Sequence, residues 1–186
     1  MHKFDPQRIE RLISEERRSQ IQPEAVLRDA GLKEGGYMAD IGCGPGFFTI
    51  PASGIVGPGG LVYALDTQEE MLERLAGRGL PPNVIPKRSG EHSFPMDDNR
   101  LDFALIAYVL HETEDKALFI KEVKRVLKPG GTVLIIDWKK IKEEKGPPVE
   151  ERLTEADCIG LLHRAGFSSI KGSSMNPSHY RITATK

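Results

Sequence analysis

From Gly36 onward, short apolar runs alternate with stretches of helical character, and few architectures accommodate that alternation. Runs of β-type residues fall at 37–41, 61–65, 84–85, 101–107 and 132–136, with helical stretches at 46–53, 68–79 and 115–127 between them. Strands that are almost continuously apolar belong to a parallel sheet covered on both faces, so the pattern predicts a doubly wound α/β sheet. Lys128-Pro129-Gly130-Gly131 cannot continue the helix before it and turns the chain into a strand. A polar segment with Gly146-Pro147-Pro148 follows Trp138 and reads as a mobile loop. A helix from Thr154 to Ala165 and two short strands at 167–170 and 180–183 complete the chain. With 186 residues and no repeat or long linker, one sheet domain accounts for everything after residue 35.

Ahead of that domain, residues 5–30 are helical but interrupted. Asp5-Pro6 and Pro23 are start signals and Gly31 is a stop. The charge run Glu15-Glu16-Arg17-Arg18 between them reads as a solvated helix face, with a lid over a site as the second reading.

Charge and cysteine content narrow the function. Lys and Arg number 26 against 27 Asp and Glu, a net charge of −1, so no global field draws the chain to nucleic acid or an anionic membrane. The apolar runs are too short to span a bilayer, and Met1-His-Lys-Phe-Asp does not resemble a secretory leader. Two cysteines, Cys43 and Cys158, cannot build a disulfide framework or a zinc site, and the expectation is a cytoplasmic protein without a metal.

The chemistry concentrates where the first run ends, at Asp40-Ile41-Gly42-Cys43-Gly44-Pro45-Gly46. Glycines in a strand-to-helix turn permit a tight bend and let a ligand approach where a Cβ would collide. The second run ends in Asp66, 20 residues after Gly46, where a carboxylate suits the hydroxyls of a ribose. The glycine spacing lacks the third glycine of a dinucleotide fingerprint, and Asp40 would repel a pyrophosphate but attract an ammonium. An aminoacyl nucleoside such as S-adenosylmethionine fits better than NAD. An NAD-dependent oxidoreductase stays as the alternative enzyme, and a catalytically silent cofactor-binding protein as the alternative of another class.

Residues 36–138 resemble the class I S-adenosylmethionine-dependent methyltransferases of the type 11 group. The resemblance rests on the 40–46 turn, Val62-Tyr-Ala-Leu-Asp66, Leu101-Asp-Phe-Ala-Leu-Ile-Ala107 and Val126-Leu-Lys-Pro-Gly-Gly131. It implies a Rossmann-like seven-stranded sheet of order 3-2-1-4-5-7-6 with strand 7 antiparallel, in a domain spanning 36–186 behind a helical cap formed by 1–35. It also implies S-adenosylmethionine as cofactor, S-adenosylhomocysteine as product, and a small-molecule methyl acceptor. By position, Asp40 and the turn through Gly42, Cys43, Gly44, Gly46 and Phe47 would hold the methionine part. Asp66 would hold the ribose, with Thr67 beside it and Met71 against the adenine or in the core. The Ala107 carbonyl would accept from the amino group. Where the family places an acid after the third strand, this chain reads Arg88-Ser89-Gly90-Glu91, so Glu91 or the backbone of Ser89 and Gly90 would take that role.

Methyl transfer needs a base only when the acceptor is protonated. His111, in Tyr108-Val-Leu-His111-Glu112, is the candidate base, against a structural hydrogen-bonding role. Tyr108 and Trp138 either line the acceptor pocket or pack the sheet end. His92 and His179 have no assignable partner in sequence. Cys43 reads as a small packing residue rather than a nucleophile, since no neighbouring cation lowers its pKa.

Overall fold

The computed structural model describes residues 12–144 and 146–186. The expected start signal at Asp5-Pro6 lies outside them. Two short helices, α1 (Glu15–Ile21) and α2 (Pro23–Asp29), precede the sheet. Then follow β1 (Tyr37–Ile41), α3 (Thr49–Val56), β2 (Leu61–Asp66), α4 (Glu69–Ala76), β3 (Val84–Arg88) and β4 (Leu101–Ala107). A 3₁₀ turn at Leu110–Glu112 leads into α5 (Lys116–Val126), β5 (Leu127–Trp138), α6 (Glu155–Arg164), β6 (Ser168–Ser174) and β7 (His179–Thr185). The sheet runs β3-β2-β1-β4-β5-β7-β6. Its first five strands are mutually parallel, while β7 pairs antiparallel with both β5 and β6. Order and direction are those implied by the resemblance.

Side-chain alternation along the central strands divides the core in two. Ala39, Ile41, Tyr63, Leu65 and Ile106 face one layer, where α5 (Phe119, Ile120, Val123) and α6 (Cys158, Leu162) pack. Met38, Val62, Ala64 and Leu105 face the other, closed by α2, α3 and α4 through Leu27, Ile55 and Leu75. Because a strand's period is two residues, an unbroken apolar run feeds both layers. Helix starts are fixed locally. Asp115 accepts from the backbone N–H groups of Ala117 and Leu118 at 3.0 and 2.9 Å, and Thr154 with Asp157 forms a capping box.

Three expectations need correction. The helix after β1 starts at Thr49 rather than Gly46, because Gly44 and Gly46 hold left-handed φ values of 52° and 86° that no helix accepts. Strand β5 begins at Leu127 rather than residue 132, with the Lys128–Gly131 segment carried as an irregularity in its pairing with β4. The polar stretch after Trp138 is pinned rather than loose. Arg152, 2% exposed, donates to the carbonyls of Pro147, Lys139 and Ile141 and lies 5.1 Å over the Trp138 ring.

Candidate active site

The parallel strands present their carboxyl ends on one edge, and β1 and β4 are neighbours there although a long stretch of chain separates them. In open sheets of this kind the crevice lies outside the strand ends. A cavity of about 170 Å³ occupies that position.

Its floor is the glycine turn. Gly42 and Cys43 both donate their N–H to the Leu65 carbonyl, at 2.8 and 2.9 Å, which ties the tip of β1 to that of β2. Gly44 donates to Asp66 Oδ2 at 2.9 Å and Gln68 donates to Oδ1 at 2.9 Å, so Asp66 is held where it borders the cavity. A Cβ on Gly44 would meet no protein atom within 4 Å, and Gly44 lines the cavity. The glycines flanking it are needed for protein packing instead. A Cβ on Gly42 would lie 2.3 Å from Val109 Cγ2, and one on Gly46 would lie 2.4 Å from Leu75 Cδ1. Gly42 still lines the cavity, whereas Gly46 does not.

Asp40 stands at the other side of the turn, 2% exposed, with the Thr49 hydroxyl donating to its Oδ2 at 2.6 Å. Burial, reinforced by the charge of Asp66, pushes its carboxyl up to about 7 against the opposing hydrogen bond from Thr49. A second acid behaves alike. Glu112 lines the cavity and burial pushes it up to about 7, with His111 opposing. Cys43 borders the cavity as a buried free thiol, and burial holds its pKa well above the usual value, so it offers no thiolate.

The far wall is built by α4 and the segment after β3. Thr67, Met71, Ser89, Gly90 and Glu91 all line the cavity. Met71 is 2% exposed, so it serves core and cavity wall together. The Glu91 carboxylate accepts from the Glu114 N–H and lies 3.3 Å from His92 Nε2, which engages it with the loop before α5.

Beyond β4, Ala107 and Tyr108 line the cavity. Tyr108 has a left-handed φ of 63° and donates its N–H to the Ile136 carbonyl at 2.8 Å. Its ring packs with those of Trp138 and His179, at centroid separations of 6.0 and 5.0 Å. Burial lifts the Tyr108 hydroxyl to about 12, with Arg17 opposing. His179, half-buried in this ring cluster, is lowered to about 4, mainly by desolvation, and stays neutral. Trp138, His179 and His111 do not line the cavity. His111 sits behind it, with Nδ1 2.7 Å from Asp137 Oδ1 and Nε2 3.8 Å from Glu112 Oε1. Burial works to lower its pKa, but the hydrogen bond and charge of Asp137, helped by Glu112, carry it above the ordinary value.

Four of these residues escape the sequence reading. Thr49 and Glu112 carry no motif of their own. Asp137, 1% exposed, is the penultimate residue of β5 as Asp40 is of β1, and Asp66 is the last of β2, a recurrence of acids at strand ends visible in the sequence. Arg17 belongs to a run read as solvated, yet it lines the cavity, its guanidinium 4.4 Å from the Phe47 ring and 4.9 Å from that of Tyr108.

Fold and crevice together define a doubly wound α/β protein with a ligand site at the tips of its central strands. Comparison with known proteins narrows this. Residues 39–135 match the family model described as a methyltransferase domain. A methyltransferase structure from Aquifex aeolicus, described as SAM dependent, is 38% identical, covers 98% of this chain and 99% of its own, and superposes with a TM-score of 0.92. A phosphoethanolamine N-methyltransferase from Haemonchus contortus, crystallised with S-adenosyl-L-methionine, shares the fold at 18% identity and a TM-score of 0.77, over 89% of this chain and 52% of its own. In sequence, a demethylmenaquinone methyltransferase of Staphylococcus aureus is 34% identical over 138 residues, 73% of this chain and 55% of the relative. The chain thus spans about half the length of the curated relatives it matches. The chain belongs to the methyltransferase domain family.

Proposed function

We propose that this protein is an S-adenosylmethionine-dependent methyltransferase that acts on a small-molecule acceptor by direct in-line transfer. The observation that carries the reading is the pair of acids, Asp40 and Asp66, on adjacent strand tips with Gly44 between them, all bordering one cavity. The residues fit the cofactor: Asp40 is a buried acid without a cationic partner among those that shift it, and the space a Cβ would take at Gly44 is open. Asp40 would face the ammonium and the Ala107 carbonyl would accept from it. Asp66 and Thr67 would take the ribose, and Met71 with Ser89, Gly90 and Glu91 would bound the adenine. Cys43 and Phe47 would pack beneath, with Gly42 and Gly46 shaping the turn.

When bound, the cofactor supplies a methyl group on a sulfonium that is already a good leaving group. What the chain contributes is alignment of the acceptor with that bond. Tyr108 forms the acceptor wall. For an acceptor protonated at neutral pH, His111 is the base. It is oriented by Asp137 and reached through Glu112, which borders the cavity where His111 does not. Of the expected 1–35 cap, the described part from Leu12 onward covers the mouth, a reading supported by Leu12 and Arg17 bordering the cavity. The near-neutral charge supports a small acceptor rather than nucleic acid, and two buried free cysteines support a cytoplasmic setting. The Tyr108 ring and the name of the Staphylococcus relatives support an aromatic acceptor. Among the described residues no helix is long and apolar enough to cross a membrane.

The deciding assay is transfer of labelled methyl from S-adenosylmethionine to a metabolite extract and to a demethylated naphthoquinol. Incorporation that is lost in Asp66→Ala supports the proposal. No incorporation above that variant, despite cofactor binding, would make the protein a silent binder.

A further inference from the structure

The adjacent arginines of α1 have opposite fates. Arg18 pairs with Glu24 at the surface. Arg17 turns inward, donates from Nη1 to the Leu12 carbonyl at 2.7 Å, and lies against the rings of Phe47 and Tyr108. Among the described residues no carboxylate comes within ion-pair distance of it, yet its guanidinium borders the cavity. A guanidinium stays charged in proteins, and withdrawing one from water without an anion is unfavourable. Among the described residues nothing neutralises the Arg17 charge, which faces the cavity instead.

We infer that Arg17 is the carboxylate anchor of the site, pairing with the carboxylate of the cofactor's aminoacyl tail. The inference rests on the cofactor reading above. Its support is placement. Phe47, on which Arg17 lies, is the residue that follows the glycine turn begun by Asp40, so a buried acid and a half-buried cation border the same end of the crevice. An α-amino acid presents an ammonium and a carboxylate on one carbon, and this pair of charges is its complement. The guanidinium's planar fork matches a carboxylate with two parallel hydrogen bonds. Because Arg17 is carried by α1, the anchor also ties the cap to the loaded site.

The test uses S-adenosylmethionine and its decarboxylated analogue, which differ in that carboxylate, titrated calorimetrically into the full chain and into Arg17→Met and Arg17→Lys. The unaltered protein should prefer the carboxylated compound by about tenfold or more. In Arg17→Met the preference should fall to about one through loss of affinity for S-adenosylmethionine alone, and Arg17→Lys should lie between. A preference that survives in Arg17→Met, or an equal loss for both compounds, overturns the assignment. So does equal binding of the two compounds by the unaltered protein, a result that leaves the cofactor reading standing and needs no variant to fold. Binding of neither compound by the unaltered protein would instead remove the cofactor reading itself.

Discussion

At the scale of single residues, Asp40 is held in a state that a cation would change. Its carboxyl titrates near 7 because burial and Asp66 oppose its charge. A neighbouring ammonium would favour ionisation, so binding releases a proton and cofactor affinity should rise with pH through about 7 and then level. Calorimetry in buffers of differing ionisation enthalpy measures that proton. Asp40→Asn should bind more weakly above pH 7 and lose this part of the pH dependence, although Glu112, also near 7, remains. For folding the sign is opposite. An unfolded Asp titrates near about 3.9, so the folded chain holds the extra proton and Asp40's contribution is present at low pH and lost as pH rises towards 7. The melting difference between the unaltered protein and Asp40→Asn should therefore shift between those limits. Asp66→Ala should weaken cofactor binding by about 2 kcal/mol in a calorimetric titration, from the loss of charge-assisted hydrogen bonds. His111→Ala should lower turnover with little effect on cofactor affinity; undiminished activity would leave His111 a structural role through Asp137 and Glu112.

At the scale of elements, the glycine turn separates ligand space from packing space. Gly44→Ala introduces a Cβ where only a ligand would meet it, so cofactor affinity should fall while stability drops by about 1 kcal/mol for the left-handed φ. Gly42→Ala drives its Cβ against Val109 and should lower the melting temperature more. Thr154→Ala removes a capping box at a residue that does not line the cavity and should cost about 1 kcal/mol of stability with cofactor affinity unchanged. What was legible from sequence follows the same division. The tip of β1 was readable because Asp40 and the glycines lie in one short segment. The helix after β1 starts later than its letters suggest, because left-handed glycines delay it to Thr49 and φ is not written in a residue type. Arg17 sits among charges and so reads as solvated; only its packing against Phe47 and Tyr108 turns it inward.

At the scale of the molecule, the sheet order converts distant segments into one site. The β1–β4 pairing brings the glycine turn beside Ala107 and Tyr108, and the β4–β5 pairing sets Asp137 behind His111. The apolar alternation discloses the doubly wound sheet, while the strand order, including the antiparallel β7, comes only through family resemblance, because the last two strands are short and polar and carry little pattern of their own. The His111–Asp137 contact joins residues 26 apart in sequence, so no local motif announces it. The central claim is that these strand tips hold an aminoacyl nucleoside and not a dinucleotide. The most direct measurement is thermal unfolding with S-adenosylhomocysteine and, separately, with NADH. At a concentration 100 times the dissociation constant, a ligand bound only by the folded state adds about 2.7 kcal/mol, a rise of several degrees in a chain of this size. S-adenosylhomocysteine should give that rise and NADH none; a rise with NADH and none with S-adenosylhomocysteine would contradict the account.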